Sequence, residues 1–192
     1  MKKIIAGILG LFIVVALVSG SAFALFLSSA TLTGVTFAAG NADLQISVDG
    51  LGFANTKIAP AEMNFQNMYP GYSATDTFWL KNNSSVPNMK LSLTGKLTSA
   101  TTGLPSVLAD NIQLEVVEID SFGADIPAST TGFKTLTVWN TTAQALPGVD
   151  LNYGATRQYR VNVKIDSTVG NDIAGLTITG ALFTFTGTQV YP

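Results

Sequence analysis

The sequence predicts an all-β protein, built as a single antiparallel β-sandwich of the jelly-roll type. Three observations support this fold class. Several segments alternate strictly between apolar and polar residues, and clusters of Gly, Pro and Asn separate them. No long segment after residue 24 repeats its apolar residues with the 3.6-residue period of a helix. Hydrophobic residues make up 47% of the 192, which is ample for a packed core.

The chain begins with the pattern of a secretory signal peptide, predicted over residues 1–24. The cationic start Met1-Lys2-Lys3 precedes an uninterrupted apolar run over residues 4–18. Ala22 and Ala24 then fit the small-residue rule for signal peptidase, which predicts cleavage after Ala24 and export. The alternative is a retained anchor, because Leu25-Phe26-Leu27 lengthens the apolar stretch to about the 20 residues that a bilayer span needs. Either way the folded part is expected outside the cytoplasmic membrane.

The next segment, residues 25–37, has no charge and no Pro, and it is rich in apolar and β-branched residues. An exposed strand of this composition is prone to aggregate, so it either completes its own sheet or pairs with the sheet edge of another subunit. We predict the second, a donor strand. Two alternating sets of side chains are candidates to fill pockets in the acceptor: Leu25, Leu27, Val35 and Phe37 on one parity, and Phe26, Ala30 and Leu32 on the other.

Residues 38–192 are predicted to form one sandwich domain, since no linker composition divides them. Strict alternation predicts strands over 43–49, 88–97 and 158–166. Enrichment in β-branched and aromatic residues predicts four more, over 75–81, 112–119, 133–139 and 176–186. Short helical turns are expected at 106–110 or 142–146.

The composition excludes most catalytic chemistry, so we expect no enzyme, no cofactor and no metal site. The chain has no Cys and no His, and therefore no thiol nucleophile, no Ser–His triad and no HExxH metal helix. Glu115 and Glu118 are three apart on a predicted strand and should point to opposite faces. The net charge of −2, without a basic cluster, argues against nucleic-acid binding.

Two kinds of surface site are weaker candidates. Asn82, Asn83 and Asn140 satisfy the N-x-[ST] rule for glycosylation. Trp79 lies on the opposite parity to Phe78 and Leu80, the expected core face, and is a candidate platform for a sugar or for a contact between fibres.

Two segments resemble the TasA/camelysin family of secreted matrix-fibre subunits, which includes TasA-like archaeal bundling pilus subunits. Residues 24–44, ALFLSSATLTGVTFAAGNADL, are similar to the family's sequence just after the signal peptide, and residues 68–84, MYPGYSATDTFWLKNNS, to its Pro-Gly segment. Two positions depart from the pattern: Ser29 replaces the usual acidic residue, and Val35 replaces the Asn that usually follows the Gly. Some members are described as metalloproteases, but this chain offers no residues for that chemistry.

The resemblance implies a jelly-roll subunit that polymerises head to tail, the N-terminal strand of each copy filling a groove in the next. The expected partner is therefore the chain itself, with lateral bundling of filaments as a further option, no nucleic acid, and a membrane only before cleavage. The expected location is extracellular or at the cell surface. The alternative is a monomeric, membrane-anchored surface module that binds a carbohydrate or another partner.

Overall fold

A computed structural model describes residues 27–31, 42–56, 69–99, 104–170 and 181–190, together with Ile173, Leu176 and Ile178. The predicted signal segment, with Ala22 and Ala24, lies outside the described residues. So do Leu25, Phe26, Leu32, Val35 and Phe37 of the predicted donor strand.

Ten strands of the described residues form two antiparallel sheets. The four-stranded sheet has the order β1-β10-β4-β8, and the six-stranded sheet follows the order β2-β3-β9-β5-β6, with β7 also paired to β5. The strands are β1 Leu27–Thr31, β2 Leu44–Ser47, β3 Ser73–Asn82, β4 Lys90–Ser99, β5 Ile112–Ile119, β6 Asp125–Thr130, β7 Lys134–Thr135, β8 Gln144–Ala145, β9 Thr156–Ile165 and β10 Leu182–Val190. Two short helices, α1 Ser106–Asn111 and α2 Leu136–Thr141, complete the described elements.

The strands form where the alternation predicted them. In β9 the apolar residues Tyr159, Val161, Val163 and Ile165 are buried, while the polar residues between them are half-buried. The predicted bounds of β5 agree with the structure, and those of β2, β3, β4 and β9 agree to within about three residues. The predicted antiparallel β-sandwich is confirmed.

The core lies between the two sheets, and aromatic rings join them at its centre. Phe78 of β3 stacks on Tyr159 of the same sheet, with ring centroids 5.3 Å apart. Its other contact is Phe185 of β10, across the sandwich, at 4.7 Å. Such pairs add about 0.5–1.5 kcal/mol to the free energy gained by burying the rings. Phe78 therefore ties the sheet that carries β1 to the sheet that carries Trp79.

The predicted strand over 133–139 is wrong, because this segment turns from β7 into helix α2. Thr135 caps the helix by accepting a hydrogen bond from the Val138 amide. Leu136 and Trp139, three residues apart, fall on one helical face and are both buried. The Trp139 Nε1 donates to the carbonyl oxygen of Leu114 at 3.0 Å. Propensity favoured a strand, but burial of the indole with its N–H satisfied decided for the helix.

Three other predictions of local structure need correction or confirmation. The helical turn expected at 106–110 is confirmed as α1, whereas the one at 142–146 is wrong, because β8 pairs there with β4. The strand predicted over 176–186 is β10 and begins later, at Leu182. The sequence did not predict β6, a largely exposed edge strand that contains Pro127, a residue tolerated only where a backbone N–H is not needed by the sheet.

Candidate functional site

The candidate site is the outer edge of the four-stranded sheet, where β1 pairs with β10. Leu27 is registered against Thr188 and Thr31 against Thr184, in an antiparallel ladder of five residue pairs. The donor strand was predicted to leave its own subunit, but Leu27 and Ala30 of that prediction pair within the same chain. This pairing corresponds to the alternative open at the sequence level, that the strand completes its own sheet, while exchange between copies stays a prediction.

Leu27 and Ala30 of the predicted donor strand have different partners in β10. Ala30 is registered against Phe185, which is buried, whereas Leu27 is registered against Thr188, which is half-buried. Opposing residues of an antiparallel pair share one face of the sheet. In this register Ala30 is the Cα partner of a core residue of β10, and Leu27 is the partner of a half-buried one.

The sheet next to β1 is closely packed because small residues let the two layers approach. Gly187 of β10 is buried, and a β-carbon there would lie 3.0 Å from Leu91 Cδ1 and 3.4 Å from Leu44 Cβ. Leu44 belongs to β2 of the opposite sheet, so a side chain at position 187 would require Leu91 and Leu44 to shift. This glycine places the pairing edge of β10 directly over the core.

A buried acceptor without a donor lies at the end of this ladder. The side-chain oxygen Oε1 of Gln189 is buried and has no hydrogen-bond partner within the part of the chain that the structure describes. Gln189 follows Thr188, the last β10 residue that β1 covers. Leaving such a group unpaired costs about 1–3 kcal/mol, so a strand that supplied a donor here would stabilise the edge.

The candidate glycosylation sites fall into two environments. Asn82 is buried, and its Nδ2 donates to the carbonyl oxygens of Met89 and Leu151 at 3.0 and 2.9 Å. Modification of Asn82 is therefore disfavoured in the folded chain, because its side-chain amide links two segments through these hydrogen bonds. Asn83 and Asn140 are exposed, although Asn83 donates to the Asp43 carboxylate at 2.8 Å. Glycosylation of these two stays a prediction.

The two carboxylates singled out in the sequence do face opposite ways. Glu115 is registered beside Asn162 and accepts hydrogen bonds from Asn162 and Thr130. Glu118 is registered beside Tyr159 and forms an ion pair with Arg157. The sequence did not reveal this ion pair, since its partners are far apart along the chain. Among the residues described, no three acidic side chains come close enough together to hold a metal ion.

Trp79 lies on the outer face of the six-stranded sheet, half-buried, while its neighbours Phe78 and Leu80 are fully buried. The predicted parity is confirmed. Within the described residues, neither helix has the length and apolar character needed to cross a bilayer.

Comparison with solved structures found a resemblance to a protein from work entitled "Structural basis for the promiscuous specificity of the carbohydrate-binding modules from the beta-sandwich super family". The two chains are 13% identical, the match covers 86% of this chain and 85% of the other, and the TM-score is 0.22. A score this low supports no conclusion about fold or ligand. No curated protein sequence matches the chain significantly.

A sequence model of one protein family, described as camelysin metallo-endopeptidase, matches residues 1–121. The match includes both segments, 24–44 and 68–84, on which the resemblance was based, and it extends through strand β5. Because it covers more than half of the chain, the protein belongs to the camelysin family, which also includes TasA.

Proposed function

We propose that this protein is a secreted structural subunit of an extracellular fibre or pilus, which polymerises head to tail by exchange of its N-terminal strand. Proteins of its family are typically extracellular. The observation that carries the proposal is the position of β1, a strand at the outer edge of its sheet that pairs with β10 alone among the residues that the structure describes.

In strand exchange, the pairing of β1 with β10 inside one chain is replaced by the same pairing between two copies. The ladder between β1 and β10 would keep its register, so an opened subunit and its neighbour recover the backbone hydrogen bonds that opening breaks. Subunits joined head to tail close on themselves only where the rotation between them forms a ring. In all other cases the product is a filament.

The length of the acceptor fits a donor longer than β1. β1 covers Thr184–Thr188, but β10 runs over nine residues, Leu182–Val190. A donor that kept this register over residues 25–33 would match β10 along its whole length.

Peptidase activity is not proposed, despite the name of the family. The complete sequence contains neither His nor Cys, so the histidine ligands and the HExxH helix of zinc peptidases have no counterpart here.

An engineered disulfide tests strand exchange directly. Ser29 and Thr186 are Cα partners, and opposing residues in antiparallel strands lie about 4.5–5.5 Å apart, within the range that a disulfide spans. Since the chain has no Cys, the variant Ser29→Cys/Thr186→Cys would contain a single pair. We expect the oxidised monomer to remain monomeric by light scattering and electron microscopy, and to form filaments once it is reduced.

Oxidising filaments that were assembled under reducing conditions should yield a ladder of covalent multimers on a non-reducing gel. Thr186→Cys alone is the control and should polymerise in both conditions. Thr31→Cys/Thr184→Cys repeats the design at a second registered pair. Filaments that grow from fully oxidised monomer, or that give only intrachain disulfides, would contradict strand exchange.

The second candidate is a monomeric module at the cell surface, and the pairing of β1 within its own chain favours it. Electron microscopy of the purified mature protein separates the two functions, because dispersed particles at all concentrations support the module and filaments support the fibre subunit.

A further inference from the structure

A cleft opens on the outer face of the six-stranded sheet, on the side of the sandwich away from β1. Trp79 of β3, Gln158 of β9 and Ile119 of β5 lie side by side in register across it. They line an open cavity of about 310 Å³, at the lower end of the size range of small-molecule sites.

The indole of Trp79 forms one wall. It is only half-buried, and it packs against the backbone of Gly50, where a β-carbon would lie 3.3 Å from Cε2 and 3.5 Å from Nε1. The ring is thus supported on one side by the loop that follows β2. Its contribution to the cavity is a flat aromatic surface held in place by the fold.

The lining also includes Glu118 and Arg157, an ion pair whose residues are registered beside the buried Tyr159 and Leu80 and so alternate to the inner side of the sheet. Arg157 Nε and Glu118 Oε1 are 3.0 Å apart, and their side chains are only 12% and 14% exposed. Glu118 also accepts a hydrogen bond from Ser129, and Arg157 donates to the carbonyl oxygen of Val149. The loop before Val149 packs so tightly on the pair that a β-carbon at Gly148, whose φ is +93°, would collide with both side chains.

This arrangement is fixed before any ligand arrives, so binding would not have to order it. Ser121, Thr156 and Gln158 add hydroxyl and amide groups to the same lining. The charges of Glu118 and Arg157 balance each other, so the cavity offers hydrogen bonds without a net charge.

We propose that this cleft binds a neutral saccharide. A pyranose ring has an apolar face of C–H groups that can lie on an indole, and a rim of hydroxyl groups that both donate and accept hydrogen bonds. The flat wall at Trp79 suits the first, and the hydroxyl and amide groups of Ser121, Thr156 and Gln158 suit the second. An anionic ligand is disfavoured, because Arg157 is already paired with Glu118. The proposal is independent of strand exchange, since the cleft and β1 belong to different sheets.

Titration with defined oligosaccharides tests the proposal. The probes are cellohexaose, mannohexaose and chitohexaose, all neutral, with trigalacturonate as an anionic counterpart. We expect at least one neutral probe to bind with a Kd below about 1 mM by calorimetry. It should also protect Trp79 from acrylamide quenching of fluorescence, while the fully buried Trp139 is shielded throughout.

Trp79→Ala should weaken binding by about tenfold or more, and Trp79→Phe, which keeps an aromatic face, by less. Gln158→Ala should weaken it about threefold or more, as expected for one lost hydrogen bond. Tyr69→Ala is the matched control, because Tyr69 is an exposed aromatic residue that does not line the cavity. Its affinity should equal that of the unaltered chain, and thermal unfolding verifies that each variant is folded.

The saccharide site is refuted if no neutral probe binds the unaltered protein, if trigalacturonate binds more tightly than all of them, or if Trp79→Ala binds as well as Tyr69→Ala. A Trp79→Ala variant that loses filament bundling, when no probe binds the unaltered chain, would assign the cleft to a protein contact and also overturn the proposal.

Discussion

Tyr159 shows how a single buried side chain makes the stability of the sandwich depend on pH. Its ring lies in the core against Phe78, and its hydroxyl donates to the carbonyl oxygen of Pro147 at 3.2 Å. Burial raises the pKa of Tyr159 from 10.0 to about 12, while the hydrogen bond and charge of Arg157 lower it by less. The folded state therefore holds the neutral phenol, and stability present below pH 10 is lost as the pH rises toward 12.

We predict that the free energy of unfolding falls between pH 9 and pH 11 by about 1.4 kcal/mol through this residue. Urea unfolding at both pH values measures the fall. Tyr159→Phe is the control: it cannot ionise, so the difference between the two pH values should shrink by that amount. An equal fall in the variant would show that lysine deprotonation, and not Tyr159, causes the loss.

The environment of some side chains could be predicted from the sequence, and that of others could not. The outward position of Trp79 followed from its alternation with Phe78 and Leu80. The pairing of Arg157 with Glu118 did not, because it depends on β5 and β9 being neighbours and on the loop at Gly148 closing over them. The burial of Asn82 could not be predicted either. Its N-x-S triplet has no local feature that marks it as buried, and the hydrogen bonds to Met89 and Leu151 come from the tertiary fold.

Among the elements, β1 is the one on which assembly is proposed to depend. We predict that a mature chain lacking residues 25–33 stays soluble and monomeric, because its β10 edge has no donor to receive from a neighbour. Analytical ultracentrifugation and electron microscopy measure the outcome. Filaments that still form from this variant would show that another contact drives assembly.

A synthetic peptide of residues 25–33 provides a second test of the role of β1. It should bind the shortened chain at the vacated edge and raise its thermal midpoint in proportion to the logarithm of peptide concentration. The same peptide with Ala30→Pro is the matched control, because proline disrupts strand pairing through its missing N–H and fixed φ. Equal stabilisation by both peptides would point to nonspecific binding.

The elements also differ in how well the local sequence pattern predicts their secondary structure. β5 and β9 alternate over most of their length and form as expected, since half-buried strands in a sandwich need no other information. The segment 133–139 has strand propensity but became β7 and α2, because the core offered space for Trp139 and the Leu114 carbonyl oxygen accepts a hydrogen bond from its indole N–H. β6 lies at an exposed edge. Because its residues are mostly exposed, its sequence has no apolar alternation that would predict a strand.

For the whole molecule, the low charge predicts how assembly responds to salt. The chain has 10 basic and 12 acidic residues, so charged residues make up only 11% and the net charge is −2. Strand exchange relies on backbone hydrogen bonds and apolar burial, which salt does not screen. We predict that the critical concentration for filament formation changes by less than about threefold between about 20 mM and about 500 mM NaCl.

Sedimentation of filaments at each salt concentration measures this. The Arg160–Asp125 pair is the natural comparison, because both partners are partly exposed and the pair lies outside the four-stranded sheet. Asp125→Asn should leave the critical concentration unchanged. A change of tenfold or more with salt would instead mean that ionic contacts between subunits hold the filament together.

By itself, the amino-acid order determined the β-sandwich and the family and predicted the N-terminal donor strand, because all three depend on local features: alternation, turn residues and an uncharged apolar segment. The tertiary structure decided which strand β1 pairs with, in which register, and that Trp79, Glu118 and Arg157 line one cleft. These are contacts between residues distant in the chain. Their free energy comes from packing two sheets against each other, and no local window of sequence contains it.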